Sequence, residues 1–262
     1  MKITALLLPV MCLLPVVAHG GALDDILARG VLRVAVKNEG SLNRAEHNDP
    51  AHFQKRGFEL DLARAITQRI LGDETKAKFE TFKRRQRLPA VADGTVDLGI
   101  SMFSINEEDQ ALVDFSEPYF EGGLAVVQKG KSTVQKLADL NGMKVVALDE
   151  KMNDPAGELQ RLAAVHDARI EIERVPAFQE GIDAVESGSA DALVSESANL
   201  DAYIADGHAD LKRSPLLSHK RFAVAVRKGN ADLLKIVNEV IADLKKSGRL
   251  DAMLKKWKLV SK

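Results

Sequence analysis

The residues of this chain that could do chemistry are charged side chains gathered in short clusters. One cluster is basic, residues 83–87 (KRRQR), and the acidic ones are residues 107–109, the loop at residues 149–154, and Glu196 between two serines. The phosphate-binding GxxxxGK[ST], dinucleotide-binding GxGxxG, hydrolase GxSxG and zinc-binding HExxH motifs do not occur in the sequence. The chemistry indicated is therefore recognition of a solute, and the sequence alone does not pair carboxylates as acid and base.

The sequence predicts no cofactor and no metal site. His47 and His52 lie five residues apart in a polar segment, a spacing that suits no compact pair of metal ligands. The only cysteine, Cys12, lies in an apolar N-terminal segment that we expect to be removed, which leaves a mature chain without disulfides or thiolate ligands. A lipid anchor on Cys12 is an alternative that the bulky residues before it disfavour.

The N-terminus has the composition of an export signal. Lys2 precedes an apolar run, residues 5–18, that two prolines interrupt and that is shorter than the roughly 20 residues needed to cross a bilayer. We expect residues 1–20 to be a signal peptide cleaved after Gly20, with cleavage after Ala18 as the alternative. The mature protein is then periplasmic.

The composition is that of an ordinary soluble globular protein with enough chain to bury a core. Of its 262 residues, 45% are hydrophobic and 29% are charged, and the formal net charge is −1. No long basic run is present, so we expect no nucleic-acid partner. We expect a monomer.

Strand and helix patterns alternate along the mature chain, and part of the pattern repeats. Residues 88–97 (LPAVADGTVD) match residues 182–191 (IDAVESGSAD), and each copy continues through an apolar strand to a serine, Ser101 and Ser195. Earlier in each half, residues 142–148 (GMKVVAL) echo residues 30–36 (GVLRVAV). Two echoes in the same order predict two lobes of like construction.

A central stretch, residues 93–123, carries the clearest family signal. A glycine turn leads into an apolar strand, a polar loop begins a short helix with Ser104 or Asn106 as N-cap, and an Asp-Phe-Ser-Glu-Pro-Tyr run follows. The stretch resembles family 3 of the bacterial extracellular solute-binding proteins, in which a Gly-x-Val-Asp strand precedes Thr-x-Thr-Pro-Glu-Arg and Asp-Phe-Ser-x-Pro-Tyr. Residues 57–63 (GFELDLA) and the C-terminal residues 227–257 extend the resemblance over nearly all of the mature chain.

The resemblance implies a fold and a function. The fold is α/β and two-lobed, of the type II periplasmic-binding-protein-like kind, with two crossing hinge strands. Residues 21–120 and 224–262 are predicted to form lobe 1, and residues 121–223 lobe 2. The function implied is capture of an amino acid, or a related small polar amine or acid, for the membrane permease of an ABC importer.

The resemblance also implies a ligand site. In the family, the ligand carboxylate meets the loop arginine, nearby hydroxyls and a helix N-terminus, and the ammonium meets an acid that ends a strand of the second lobe. Position by position, Ser104 keeps a carboxylate-binding hydroxyl, Asn106 replaces the loop threonine, and Asp109 replaces the arginine. Glu196 matches the ammonium-binding acid, and Asn153 lies in the loop before the second-lobe helix.

The same comparison suggests an opposite charge elsewhere. Arg84 and Arg87 match a Ser-x-x-Arg pair of the family's glutamate and aspartate receptors, and Lys37 lies where an aromatic residue is expected. Two ligand classes stay open: a cationic amine facing Asp109 and Glu196, or an anion held by Arg84, Arg87 and Lys37. The alternative for the arginines is a solvated basic turn.

Three further alternatives concern function. Asp109, in the first turn of a helix, can stabilise that helix without touching a ligand. An enzyme on the same scaffold, a dehydratase of prephenate or arogenate, could use Glu196 with Arg84. A non-transport accessory protein, such as a partner of a quinoprotein dehydrogenase, would copurify with that enzyme and bind no solute.

Overall fold

The structure is a computed structural model that describes residues 21–36, 43–45, 55–149, 154–205 and 207–261. The predicted signal peptide, Lys37 and Asn153 lie outside these ranges. The α-helices described are α1 (Ala22–Arg29), α2 (Phe58–Leu71), α3 (Arg84–Ala92), α4 (Glu107–Leu112), α5 (Pro155–Val165), α6 (Phe178–Ser187), α7 (Ser197–Ala205), α8 (Ala231–Lys246) and α9 (Arg249–Lys256). The strands described are β1 (Leu32–Val36), β2 (Asn43–Ala45), β3 (Lys55–Gly57), β4 (Ala77–Thr81), β5 (Leu98–Ser104), β6 (Val113–Phe115), β7 (Phe120–Gly122), β8 (Leu124–Lys129), β9 (Lys144–Leu148), β10 (Glu171–Val175), β11 (Ala192–Glu196), β12 (Leu211–Arg213) and β13 (Lys220–Arg227).

Most of the strands form two mixed sheets. The first has the order β4-β1-β5-β13-β6, with β7 also paired to β13, and the second has the order β10-β9-β11-β8-β12. In each sheet three strands are parallel and one strand from elsewhere in the chain runs antiparallel beside them: β13 beside β5, and β8 beside β11. Helices pack on these sheets, so the predicted α/β fold of two lobes is confirmed.

The sequence repeat has a structural basis. Asp97 and Asp191 each follow a glycine turn and each accept a hydrogen bond from a backbone N–H of the neighbouring parallel strand, at Arg33 and Lys144, with both distances 2.7 Å. The reciprocal bonds, from the N–H of each aspartate to the carbonyl of the same partner, are 3.0 and 2.9 Å. The repeated Gly-x-x-Asp pattern therefore docks β5 onto β1 in one lobe and β11 onto β9 in the other.

The chain crosses between the sheets twice, and the two crossings lie side by side. The first crossing joins β7 to β8 through Gly123, and the second leads from β12 to β13 through residues 214–219. Leu217 N–H donates to Leu124 O at 2.7 Å, and Lys220 pairs with Gly122. A Cβ on Gly123 would lie 2.0 Å from Ser218 O, so only glycine permits this approach. The predicted lobe boundaries, 120/121 and 223/224, fall within β7 and β13, a few residues from these crossings, and stay predictions.

The helices cover apolar sheet faces, and their ends agree with local sequence signals. In α2, Phe58, Leu62 and Ile66 are fully buried at helical spacing, and Gly72 ends the helix in the left-handed conformation. In α8, Val237, Ile241 and Leu244 face the same core.

Two local predictions differ from the structure. Residues 88–92 have the sequence pattern of a short helix that begins near Pro89, but α3 begins at Arg84. Arg87 explains the difference, because its side chain donates to Phe82 O and Ser101 Oγ and ties the first turn of α3 to the sheet. Residues 134–140 also have the pattern of a short helix, and the structure has a 3-10 turn there, Leu137–Leu140.

A buried carboxylate pins the end of β5. Glu59 is fully buried and accepts hydrogen bonds from Met102 N–H, at 2.7 Å, and from the phenol of Tyr119. Met102 has a φ of 51°, in the left-handed region, and β13 shifts register opposite this point. Burial, followed by the charge of Glu59, raises the pKa of Tyr119 well above its ordinary value of 10.0.

The Tyr119 phenol is therefore expected to ionise only when the protein unfolds. Because its pKa is raised in the folded state, its contribution to stability is complete below about pH 10 and is lost as the pH rises further. In a Tyr203→Phe variant, Tyr119 is the only tyrosine, so phenolate absorbance during an alkaline titration reports on it alone. We expect the absorbance to rise together with the loss of far-UV circular dichroism. A phenolate signal near pH 10 in still-folded protein would contradict the prediction.

Candidate functional site

The strand registers place the carboxyl ends of both parallel sheets beside the crossings. Ser104, the last residue of β5, pairs with Phe222 near the start of β13, and Glu196, the last residue of β11, pairs with Leu124 at the start of β8. Ligands of open α/β sheets bind outside the carboxyl ends of the strands. The candidate site is therefore the region between these two edges, next to the crossings.

Glu196 is buried there and lies against a cation from the other sheet. Its side chain is 6% exposed, and its Oε1 is 2.5 Å from Nζ of Lys220, the first residue of β13. The same Nζ is 2.5 Å from Glu158 Oε2 in the first turn of α5. Burial alone would lower the pKa of Lys220, but attraction to Glu196 and the bonds to both carboxylates outweigh it and raise the pKa above 10.5.

Glu158 is held in place by a second contact. Its Oε1 accepts a hydrogen bond of 2.9 Å from Ser218 Oγ, and that hydroxyl accepts one of 3.0 Å from Leu124 N–H. The Glu158–Lys220–Glu196 cluster thus joins the start of α5, the end of β11 and both crossing segments. The sequence predicts Glu196 as a site residue, whereas Lys220 and Glu158 were not predicted. The one sequence signal for Lys220 is its place at the start of an apolar strand.

Asn106 and Asp109 cap a helix. Of the two N-cap residues expected, the structure uses Asn106, whose Oδ1 accepts from Asp109 N–H at 2.9 Å. Asn106 Nδ2 donates to Asp109 Oδ2 at 2.7 Å and to Ser104 O at 3.0 Å. Asp109 therefore stabilises the start of α4, in agreement with the alternative that it supports this helix. The prediction that Asp109 contacts a ligand is not tested by these bonds.

The two arginines of the predicted anion site lie in α3. Arg87 is buried, and its donors to Phe82 O (3.1 Å) and Ser101 Oγ (3.0 Å) are directed into the first lobe. Arg84 is the first residue of the helix, and its side chain is not among those described.

The acidic loop before α5 contacts a cation of β10, Arg174, that the sequence did not identify. Of the two residues, Asn153 and Asp154, whose types suit the N-cap of α5, the structure uses Asp154, which receives two hydrogen bonds from Arg174, at 2.7 and 3.0 Å. The bond from Arg174 lowers the pKa of Asp154. Asp149, at the end of β9, lies 3.5 Å from the same guanidinium. Asn153, the predicted contact of this loop, is outside the described residues.

Within the described ranges, no group of three or more histidine, cysteine or acidic side chains could hold a metal ion. None of the helices described is both long and apolar enough to span a bilayer.

Comparison with known proteins agrees with this arrangement. The model of bacterial extracellular solute-binding proteins, family 3, matches residues 34–260. The glutamine-binding protein of an ABC transporter of Bacillus subtilis is 32% identical over 215 residues, which are 80% of this chain and 75% of that protein.

Two solved structures of ancestral proteins are also similar. One, an ancestral cationic amino acid solute-binding protein, has 27% identity and a TM-score of 0.76 over 90% of this chain and 99% of the other. The second, described as an ancestral amino acid-binding protein and a precursor of cyclohexadienyl dehydratase, has 28% identity and a TM-score of 0.67 over 91% and 100%. With the family model matching from β1 to the end of the described chain, this protein belongs to family 3 of the bacterial extracellular solute-binding proteins.

Proposed function

We propose that the protein is the periplasmic receptor of an ABC importer, exported by a signal peptide within residues 1–20, and that it captures an amino acid between its lobes and delivers it to a membrane permease. One observation carries the proposal: the strand registers bring Ser104 and Glu196, one from each sheet, to the paired crossings. A cleft with a carboxylate on one wall and a hydroxyl on the other suits a zwitterion. Closure about the crossings would then remove the ligand from water.

In this proposal Glu196 binds the ligand's ammonium group. Glu196 already accepts a hydrogen bond from the ammonium of Lys220, and a charge-assisted bond of this kind is the stronger pairing for a buried carboxylate, so the same side chain suits the ammonium of a ligand. The ligand carboxylate is directed to the first lobe, where Ser104 ends β5. Asp109 repels a carboxylate held in the family's usual pose, so the ligand carboxylate is expected to lie away from the start of α4.

The charges along the second lobe's edge favour a cationic or neutral polar side chain on the ligand. Four acidic side chains of the second lobe meet cations near this edge: Asp149 and Asp154 contact Arg174, and Glu158 and Glu196 contact Lys220. These carboxylates disfavour a second carboxylate on the ligand. The ancestral relative that binds cationic amino acids is consistent with this choice.

We expect protein purified from the periplasm to carry an amino acid. Native mass spectrometry of the chain, before and after refolding in ligand-free buffer, should show a removable mass of small-molecule size and give the mature N-terminus. The refolded protein should then be stabilised thermally by L-arginine or L-glutamine and much less by L-glutamate. No bound mass, and no thermal shift with these amino acids, polyamines or dicarboxylates, would contradict the proposal.

A second candidate function is dehydration of prephenate or arogenate, favoured by the relative described as a precursor of cyclohexadienyl dehydratase. The paired carboxylate and ammonium of Glu196 and Lys220 are groups that general acid–base catalysis could use. Loss of prephenate during incubation with the purified protein, absent from a Glu196→Gln control, would support the enzyme. If the prephenate concentration does not change, the enzyme is excluded and the receptor function remains.

A further inference from the structure

The ammonium of Lys220 already occupies the carboxylate that we assign to the ligand's ammonium. The Lys220 backbone belongs to the first sheet, paired with Gly122, while its side chain reaches two carboxylates of the second lobe. The exposed fractions of the Lys220, Glu158 and Glu196 side chains are 23%, 21% and 6%. An incoming ligand must therefore compete with a lysine for Glu196.

The two carboxylates of the cluster favour the arrival of a further cation. Lys220 brings one ammonium to both of them, and a partly buried carboxylate is stabilised when another cation comes within hydrogen-bond distance. Lys220 already contacts both carboxylates at equal distances of 2.5 Å. It can therefore release Glu196 while keeping Glu158, without leaving its place in the fold.

Glu158 is well placed to retain its ion pair with Lys220. Ser218 Oγ holds its other oxygen at 2.9 Å. It also lies in the first turn of α5, an eleven-residue helix whose N-terminal dipole stabilises a negative charge. Glu158 thus stays in position while Lys220 changes partners.

We propose that Lys220 is an exchangeable internal counterion of the ligand-amine site, and that Glu158 sets ligand affinity by drawing Lys220 away from Glu196. In the ligand-free protein Lys220 is shared by the two glutamates; in the complex the ligand's ammonium takes Glu196 and Lys220 stays with Glu158. Glu158 acts as a positioning residue that never touches the ligand. This inference rests on the proposed function, since it requires an amine to bind at Glu196.

The test is a double-mutant cycle measured by calorimetric titration with L-arginine and L-glutamine. Glu158→Gln leaves Lys220 to compete fully for Glu196 and should weaken binding by about 10- to 100-fold. Adding Lys220→Met to that variant removes the competing ammonium, makes the site one charge more negative than in Glu158→Gln, and should recover wild-type affinity or better. If the two substitutions acted only by damaging the fold, their effects would add and the double variant would bind most weakly.

Thermal midpoints of each variant separate binding from folding. Glu158→Gln and the double variant are the decisive pair, since both reduce buried charge. Lys220→Met completes the cycle, and because it leaves two facing carboxylates its affinity is compared only together with its thermal midpoint. Wild-type affinity in Glu158→Gln, or a double variant as weak as Glu158→Gln, would overturn the counterion exchange while the receptor function stands. A wild-type protein that binds neither amino acid would overturn the proposed function and this inference with it.

Discussion

Glu196→Gln is expected to weaken binding of L-arginine or L-glutamine by about 30- to 1,000-fold, the range for removing one partner of a buried, hydrogen-bonded charge pair. Glutamine keeps the size of the side chain and one acceptor oxygen, so the backbone pairing of β11 with β8 should be preserved. What is lost is the charge, and Lys220 then belongs to Glu158 alone. Calorimetric titration of the refolded, ligand-free protein measures the effect.

A matched control comes from the opposite edge of the same sheet. Glu171 begins β10 and is exposed, so Glu171→Gln removes the same charge far from the crossings and should leave both affinity and thermal stability unchanged. Equal affinity for wild-type and Glu196→Gln proteins would show that the ligand's ammonium binds elsewhere. A loss of affinity in both variants would show that the overall negative charge of the lobe, and not one carboxylate, attracts the ligand.

The sequence could predict those parts of the site whose cause is local. Asn106 was an expected N-cap because its side chain reaches a backbone N–H three residues later, at Asp109. The place of Glu196 at the end of a strand followed from the apolar run before it and from the family resemblance. In both cases neighbours in sequence decide the structure.

The missed parts depend on contacts between distant segments. Lys220 lies 24 residues from Glu196 and 62 from Glu158, and no periodicity or motif links them. The predicted start of α3 was wrong for the same reason, because a contact between distant segments decides where the helix begins. Proline favours the first turn of a helix, but tertiary bonds from Arg87 to Ser101, 14 residues away, add a full turn before Pro89.

The repeated aspartate predicts a difference in stability between the lobes. Asp97 is 6% exposed and accepts hydrogen bonds from Arg33 N–H (2.7 Å) and from the guanidinium groups of Arg29 (2.5 Å) and Arg33 (2.9 Å). Asp97→Ala leaves these donors without their acceptor and is expected to lower the free energy of unfolding by about 3 kcal/mol. Asp191 is exposed and its carboxylate accepts from Lys144 N–H, so Asp191→Ala should cost about 1 kcal/mol.

Urea unfolding can assign each loss to its lobe. Trp257 is the only tryptophan and packs against the core of the first lobe, so its fluorescence reports that lobe, whereas far-UV circular dichroism reports both. Asp97→Ala should move the fluorescence midpoint to lower urea, and Asp191→Ala should move it far less. Equal losses in the free energy of unfolding would mean that the backbone hydrogen bond accepted by both aspartates provides the stability, and that Arg29 and Arg33 add little to it. A larger loss for Asp97→Ala would show that the first lobe gains stability from charges that the second copy of the motif lacks.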